Sequence, residues 1–220
     1  MTTNPQGGPF DPQPDDLGAP EVVVQRLPLY VRMLSQFEQQ SVEVVSSEQL
    51  GQQLQMTPAQ IRKDLSYFGR FGKQGRGYNV RRLSAELRRI LGLDTSWNAA
   101  IIGMGRLGRA VAAYPGFARE RFRIVAAFDA DPAVIGARVG DLPVRPMEEL
   151  AGAVQSLDIK IGIVTVPAQQ AQVVIDMLVA AGVRAVLNYA PYSPQVPEDV
   201  KVRAIDPVLA LQSMTYYLKG

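Results

Sequence analysis

Cysteine and histidine are both absent from this chain of 220 residues. Without thiols there is no disulfide, no thiolate nucleophile and no Cys-ligated zinc or iron–sulfur site. Without imidazole, the commonest general base and the commonest metal ligand are gone as well. No stretch of about 18 uncharged apolar residues is available to span a bilayer. Met1 to Pro20 lacks the basic start and apolar core of a secretion signal, so cytoplasmic residence and no membrane partner are expected. What remains is ordinary for a globular protein: 47% hydrophobic and 20% charged residues, enough for one large or two small domains.

The net charge of +2 conceals a gradient. Residues 1–20 hold three acids and no base, residues 21–93 eleven bases and six acids, and residues 94–220 twelve of each. The surplus concentrates between Arg62 and Arg89, with nine bases against two acids. Such asymmetry points to a polyanion partner for one segment, or to nothing more than a solvated helix face.

Residues 1–20 carry five Pro and three Gly and read as a disordered tail. From Glu21 to Gln40, apolar residues at three- and four-residue spacing predict a helix that Pro28 either kinks or begins. Ser46 with Gln49 forms a capping box for a short helix to about Leu54. Thr57-Pro58-Ala59-Gln60 starts another, expected to run from Pro58 to about Phe68 and stop at Gly69. On it, Ile61, Leu65 and Phe68 face a core, while Gln60, Arg62, Lys63, Ser66 and Tyr67 are expected towards solvent. The glycine-rich stretch Phe71 to Tyr78 then reads as a basic hairpin, and a helix from about Val80 to Leu91 closes a winged helix-turn-helix over residues 21–93. Arg62, Lys63 and Ser66 have the reach for base edges and phosphates in a major groove. Lys73 and Arg76 suit a minor groove or its phosphates. Tyr67 and Tyr78 either bond phosphates or pack.

Asp94-Thr95-Ser96-Trp97 reads as a linker, after which strands and helices alternate as in a parallel, Rossmann-like α/β sheet. The strands are expected at Ala99–Ile102, Phe122–Phe128, Ile159–Val166, Ala185–Leu187 and Val200–Ile205. Helices are expected near Pro146–Val154 and Gln169–Ala181. Gly103-Met104-Gly105-Arg106-Leu107-Gly108 follows the first strand and opens a helix to about Ala113, with Asp129 ending the second strand 26 residues past Gly103. In that context Gly103 permits the turn, Gly105 admits a pyrophosphate, Gly108 lets helix and strand approach, and Arg106 adds a charge. Asp129 suits the ribose hydroxyls and disfavours a 2′-phosphate, so NADH or NAD+ is expected rather than the phosphorylated form. Asp131 is either a second ribose contact or a cap before Pro132. Thr165-Val166-Pro167 and Asn188, at strand ends, either line the nicotinamide half or make plain turns. Tyr114 borders the ring or packs.

A dehydrogenase needs a proton carrier beside its hydride, and here there is no His and no Lys at a strand end facing the cofactor. Binding without turnover is favoured, so the chain is not expected to be an enzyme. The alternative is a small NAD-dependent oxidoreductase with a basic N-terminal oligomerisation arm. A third reading keeps DNA binding but replaces NAD with CoA or another nucleotide.

The segments Arg26 to Tyr30, Arg62 to Gly69, Gly75 to Val80, Gly103 to Gly108, Tyr114 to Phe117 and Asn188 to Pro191 occur in one order that resembles the Rex family of redox-sensing transcriptional repressors. The resemblance runs from about Glu21 to the C-terminus. It implies a homodimer that binds an inverted-repeat operator in double-stranded DNA and leaves it when NADH binds. It also implies a nucleotide domain over residues 94–206, a C-terminal helix over residues 207–220 exchanged between subunits, and a switch formed by Arg32, Tyr114 and Asp206. Pro207 departs from the bulky apolar residue of some members. A steady-state screen with NAD(H) and candidate substrates separates the two main readings: the repressor is expected to show no turnover.

Overall fold

The computed structural model describes residues 18–73 and 77–218. The chain divides into two compact units between Asp94 and Thr95. The expected tail lies outside the described residues apart from residues 18–20, as do Arg76 and the side chain of Lys73.

In the first unit the expected single helix is two: α1 (Glu21–Val24) and α2 (Leu27–Gln39). Pro28 sits in the first turn of α2, where a missing N–H costs nothing, so it begins the helix. Val23, Leu27, Tyr30, Val31 and Leu34 are buried on one face. β1 (Val44–Val45) leads into α3 (Ser47–Leu54), whose capping box is complete: Gln49 N–H donates to Ser46 Oγ at 3.2 Å and Ser46 N–H to Gln49 Oε1 at 2.8 Å. α4 (Pro58–Ser66) is capped by Thr57, whose Oγ1 accepts from Gln60 N–H at 3.2 Å. α4 ends two residues before Phe68 because Phe68 N–H turns back to the Leu65 carbonyl, and the chain leaves through Gly69 at φ +135°. β2 (Gly72–Lys73) and β3 (Gly77–Asn79) form the wing, with sheet order β1-β3-β2, all antiparallel. α5 (Val80–Ile90) closes the unit, with Asn79 as its cap.

The second unit runs β4 (Trp97–Ile102), α6 (Arg106–Ala112), α7 (Gly116–Arg119), β5 (Phe122–Asp129), β6 (Arg138–Val139) and β7 (Leu142–Pro146). A 3₁₀ turn at Met147–Glu149 enters α8 (Leu150–Ser156). Then come β8 (Ile159–Val164), α9 (Ala168–Ala180), β9 (Ala185–Asn188), β10 (Lys201–Ala204) and α10 (Pro207–Thr215), which ends in a 3₁₀ turn at Tyr216–Leu218. Trp97, read as linker, is instead the first residue of β4, paired with Phe122. The β6–β7 hairpin and α7 were not legible in the sequence. β7 carries Pro143 and Pro146, residues that argue against a strand; Pro143 precedes the stretch paired with β5 and Pro146 is the last residue of it, so the prolines fall at the ends of that ladder.

Sheet order is β10-β9-β8-β4-β5-β7-β6, parallel except for the antiparallel β6–β7 pair. Numbered by the parallel strands alone, this is the doubly wound order 3-2-1-4-5-6, which reverses between β4 and β8. β4 is buried on both faces: Ala100 and Ile102 pack in the cluster with α8 and α9, and Ala99 and Ile101 in the cluster with Val111 of α6. A strand covered on both faces reads as a continuous apolar run, which is why this one was visible beforehand. α10 has no buried residue, and Val208, Leu209, Leu211 and Met214 are all more than half exposed. No helix among the described residues is long and apolar enough to cross a membrane.

Gly77 ties the wing to the first unit. At φ +70° a Cβ there would meet the Val45 carbonyl oxygen at 2.6 Å. Gly77→Ala is expected to cost about 2 kcal/mol from the left-handed backbone and the contact together, read as a lowered midpoint in urea denaturation.

Candidate functional site

In doubly wound sheets ligands sit where the strand order reverses; here that point is at the carboxyl ends of β4 and β8, and the three motif glycines follow β4 directly. Two of them serve packing. A Cβ on Gly103, at φ +96°, would lie 2.8 Å from Val166 Cγ1 and 2.9 Å from the Thr165 carbonyl carbon. A Cβ on Gly108 would collide with the Gly103 carbonyl oxygen and approach Thr165 Oγ1 to 2.9 Å. Gly105 differs: nothing lies within 4 Å of its Cβ position, so backbone is open to a ligand there. Arg106 and Leu107, the first residues of α6, are exposed beside it, whereas Met104 is fully buried.

The candidate contacts around this loop divide by what already holds them. Thr165 Oγ1 donates within reach of the Gly103 carbonyl (2.7 Å) and the Ile102 carbonyl (3.0 Å), so it fastens the end of β8 to the glycine turn. Val166 is half-buried against Gly103, and Pro167 is exposed before α9. Asp129 accepts from Met104 N–H at 2.5 Å and from Asp131 N–H at 2.9 Å, spanning the two strand-end loops while keeping spare lone pairs. Asp131 accepts from Ala133 N–H at 2.9 Å, which is the cap geometry, although the residues after Pro132 form turns rather than a helix. Asn188 is fully buried, and its amide is committed to its own loop: Oδ1 accepts from Ala190 N–H, and Nδ2 donates to the Ala190 and Tyr192 carbonyls. It shapes the loop and does not present its amide to a ligand.

Tyr114 is 60% exposed and meets Phe117 edge-on, the ring centroids 5.5 Å apart. Its ring lies across Gly116, where a Cβ would coincide with ring carbons. The glycine of Tyr114-Pro115-Gly116-Phe117 is therefore the seat of the tyrosine. Burial pushes the Tyr189 hydroxyl above its ordinary pKa, with Tyr114 nearby adding to the effect. Asp206 caps α10, its Oδ1 accepting from Val208 N–H at 2.9 Å.

In the first unit Arg62, Lys63 and Ser66 are exposed along α4 as expected, and Arg32 is exposed on α2. Arg62 is braced: its guanidinium donates to Ser47 Oγ at 2.8 Å and lies 3.6 Å from the Glu48 carboxylate at the start of α3. Two residues expected towards solvent are not there. Tyr67 is half-buried against the core, because α4 has ended before it, and Gln60 turns inward to Asp64. Tyr78 is half-buried too, and burial raises its hydroxyl pKa.

Asp64 is the residue that sequence reasoning passed over. It lies on α4 between Lys63 and Leu65, is 0% exposed, and accepts four hydrogen bonds. Arg26 Nε and Nη2 donate at 2.6 and 2.7 Å, Tyr30 Oη at 2.7 Å and Gln60 Nε2 at 2.6 Å. Burial alone would raise the carboxyl pKa, but the bonds from Arg26, Tyr30 and Gln60 outweigh it and hold the group below its ordinary value. Burial also pushes the Tyr30 hydroxyl well up, with the Asp64 bond adding to it. The one signal in the sequence was an acid inside the most basic stretch.

Because the folded carboxyl titrates below the unfolded value of about 3.9, its stabilisation is complete above that pH and is lost as pH falls through the folded value. Asp64→Asn is expected to cost about 3 kcal/mol near neutrality, as breaking one side of a buried pair does. The gap between wild type and variant in urea denaturation is expected to narrow below about pH 4.

Comparison with known proteins adds the family. Residues 94–192 match a family model described as a CoA binding domain, and residues 19–66 one described as a putative DNA-binding protein N-terminus. A redox-sensing transcriptional repressor Rex of Chloroflexus aurantiacus is 55% identical over 199 residues, covering 90% of this chain and 94% of that protein. A crystal structure of RSP in complex with beta-NAD+ and operator DNA superposes with TM-score 0.85 at 38% identity, covering 90% of this chain and 92% of that one. RSP in complex with beta-NADH superposes with TM-score 0.81 at 36% identity, covering 90% and 93%. With that identity sustained over nine-tenths of its length, the chain belongs to the Rex family of redox-sensing transcriptional repressors.

Proposed function

We propose that this protein is a DNA-binding transcriptional repressor that reads the NADH to NAD+ balance, sits on an inverted-repeat operator and is released by NADH. The observation that carries the nucleotide half is the open backbone at Gly105 between two packed glycines, at the reversal of strand order, with the Asp129 carboxylate beside it. In this reading residues 94–206 bind the dinucleotide. Gly103 to Gly108 take the pyrophosphate, with Arg106 as its cation, and Asp129 takes the ribose. Thr165, Val166 and Pro167 border the nicotinamide half, and Asn188 holds the neighbouring loop. NADH and NAD+ are regulatory ligands and nothing is turned over.

Residues 21–93 carry the DNA contacts. Arg62, Lys63 and Ser66 enter the major groove, and Lys73 and Arg76 of the wing meet the adjacent backbone or minor groove. The exposed apolar residues of α10 support a homodimer in which a second copy covers residues 207–220. A repressor acts where the chromosome is, and the cytoplasm is the compartment proposed.

Discrimination between the redox forms follows from charge. NAD+ carries a positive charge on the ring that NADH lacks, so an apolar pocket favours NADH by desolvation. Arg32, Tyr114 and Asp206 form the proposed switch. NADH draws Tyr114 and Asp206 together and releases Arg32, so that half-sites about 34 Å apart are no longer both met. The coupling expected is about 1–3 kcal/mol per ligand, reciprocal between NADH and DNA.

The deciding experiment is fluorescence anisotropy of an inverted-repeat duplex selected by the protein from a random pool, titrated with NADH, NAD+ and CoA at fixed salt. Release by NADH at concentrations where NAD+ and CoA do little is expected. Tight binding indifferent to all three would leave a DNA-binding protein without the sensor, and release by CoA would select the third reading. Asp206→Ala is expected to bind the duplex and resist NADH. Arg62→Ala is expected to lose operator recognition with NADH affinity intact.

A further inference from the structure

The cluster around Asp64 needs an explanation beyond stability. A buried ion pair is poor at stabilising a fold, and well-packed apolar residues of similar volume do as well or better. α4 and the turn that follows it already have an apolar anchor in Ile61, Leu65 and Phe68. What apolar contacts cannot supply is direction, because they tolerate rotation and sliding, whereas a bidentate guanidinium–carboxylate pair has one geometry. Here that geometry joins two elements. Both Asp64 oxygens are gripped by Arg26 at the start of α2, Tyr30 one turn further along α2 grips Oδ2, and Gln60 of α4 itself grips Oδ1. Every bond is 2.7 Å or shorter, and among the described residues no buried polar side-chain atom lacks a partner.

The chain neighbours of Asp64 give the cluster its meaning. Lys63 is adjacent to it, and Arg62 and Ser66 each stand two residues away on the same helix; all three are exposed. A rotation of α4 about its axis would swing all three away from the edges they are proposed to read. Arg32, on the exposed face of α2, lies two residues from Tyr30, so the helix that grips Asp64 is also the one that carries the proposed switch arginine.

We propose that Asp64, Arg26 and Tyr30 are positioning residues for DNA recognition: they lock the rotation and axial register of α4 against α2, so that the base-reading side chains keep their aim. This rests on the repressor reading and deepens it. Phosphate contacts survive a small rotation of the helix, whereas base-edge contacts do not. The cluster therefore serves specificity more than general affinity.

The test uses the full-length protein and two variants, Asp64→Asn and the double variant Asp64→Leu/Arg26→Met, which replaces the pair by apolar groups and is expected to fold even where the single variant does not. Each is titrated by anisotropy against the duplex selected by the wild type and against a scrambled duplex of equal length. NADH binding is measured in parallel. The double variant is expected to bind the selected duplex about tenfold to a hundredfold more weakly, the loss of one or two base-edge contacts. Its affinity for scrambled duplex should change by no more than about threefold, since phosphate contacts set that value. NADH affinity is expected to be unchanged. A folded double variant that binds the selected duplex within about twofold of wild type would overturn the inference, since the cluster would then be structural only. An equal loss on both duplexes would overturn it too, by showing a general effect on affinity. Failure of the wild type itself to select a duplex or to release it with NADH would sink the repressor reading instead.

Discussion

The second unit depends on a single close approach, the Gly108 backbone against the Gly103 carbonyl, with the Thr165 hydroxyl closing the third side. Helix α6 can begin directly at the end of β4 only if no side chain stands between them, and Thr165 can lie there only because β8 is the next strand over. The packing thus ties together the first strand, the first helix and the strand across the reversal. Gly105, left open between the two closed glycines, is the consequence: the chain is pulled tight on both sides and nothing crowds the backbone between them. Asp129 completes the arrangement by anchoring the neighbouring strand end to Met104 N–H.

The first unit solves a different problem, how to hold a short helix firmly while its outer face stays free for a partner. α4 is only nine residues long, too short to be stable by its own hydrogen bonds. A threonine cap, three apolar contacts and the Asp64 cluster fix its start, its inner face and its rotation in turn. Arg62 is then braced from α3 by Ser47 and Glu48, so part of the basic row is already oriented. A side chain held in place beforehand loses less entropy on binding DNA. The two units share a strategy, in which an acid at a structural junction accepts from groups of a neighbouring segment: Asp64 from α2, Asp129 from the glycine loop.

α10 follows the opposite rule. Its apolar residues face outward, and Asp206 caps a helix that buries nothing of its own. Exposed apolar side chains grouped on one helix are what an interface requires, and the fold of one chain leaves them uncovered.

Much of this was legible in advance, for reasons that can be stated residue by residue. Capping residues act locally, so Ser46 and Thr57 mark helix starts without reference to anything distant. The glycine loop was visible because its constraints fall within six residues, and β4 because burial on both faces leaves only apolar side chains. The β6–β7 hairpin was not, since Pro143 and Pro146 contradict local strand propensity and only pairing with β5 overrides it. Asn188 looked like a ligand contact because its position was right, but the direction of its amide is set by the loop that follows. The pairing of Asp64 with Arg26 and Tyr30 spans 38 and 34 residues and is written in no local pattern. Sequence by itself determined the chemistry on offer, a helix with a basic face and a glycine turn with open backbone after a buried strand, because those depend on neighbours within a few residues. Which polar groups face outward to act and which are consumed in holding the others was decided only by tertiary structure, because partners far apart in the chain meet only when it folds.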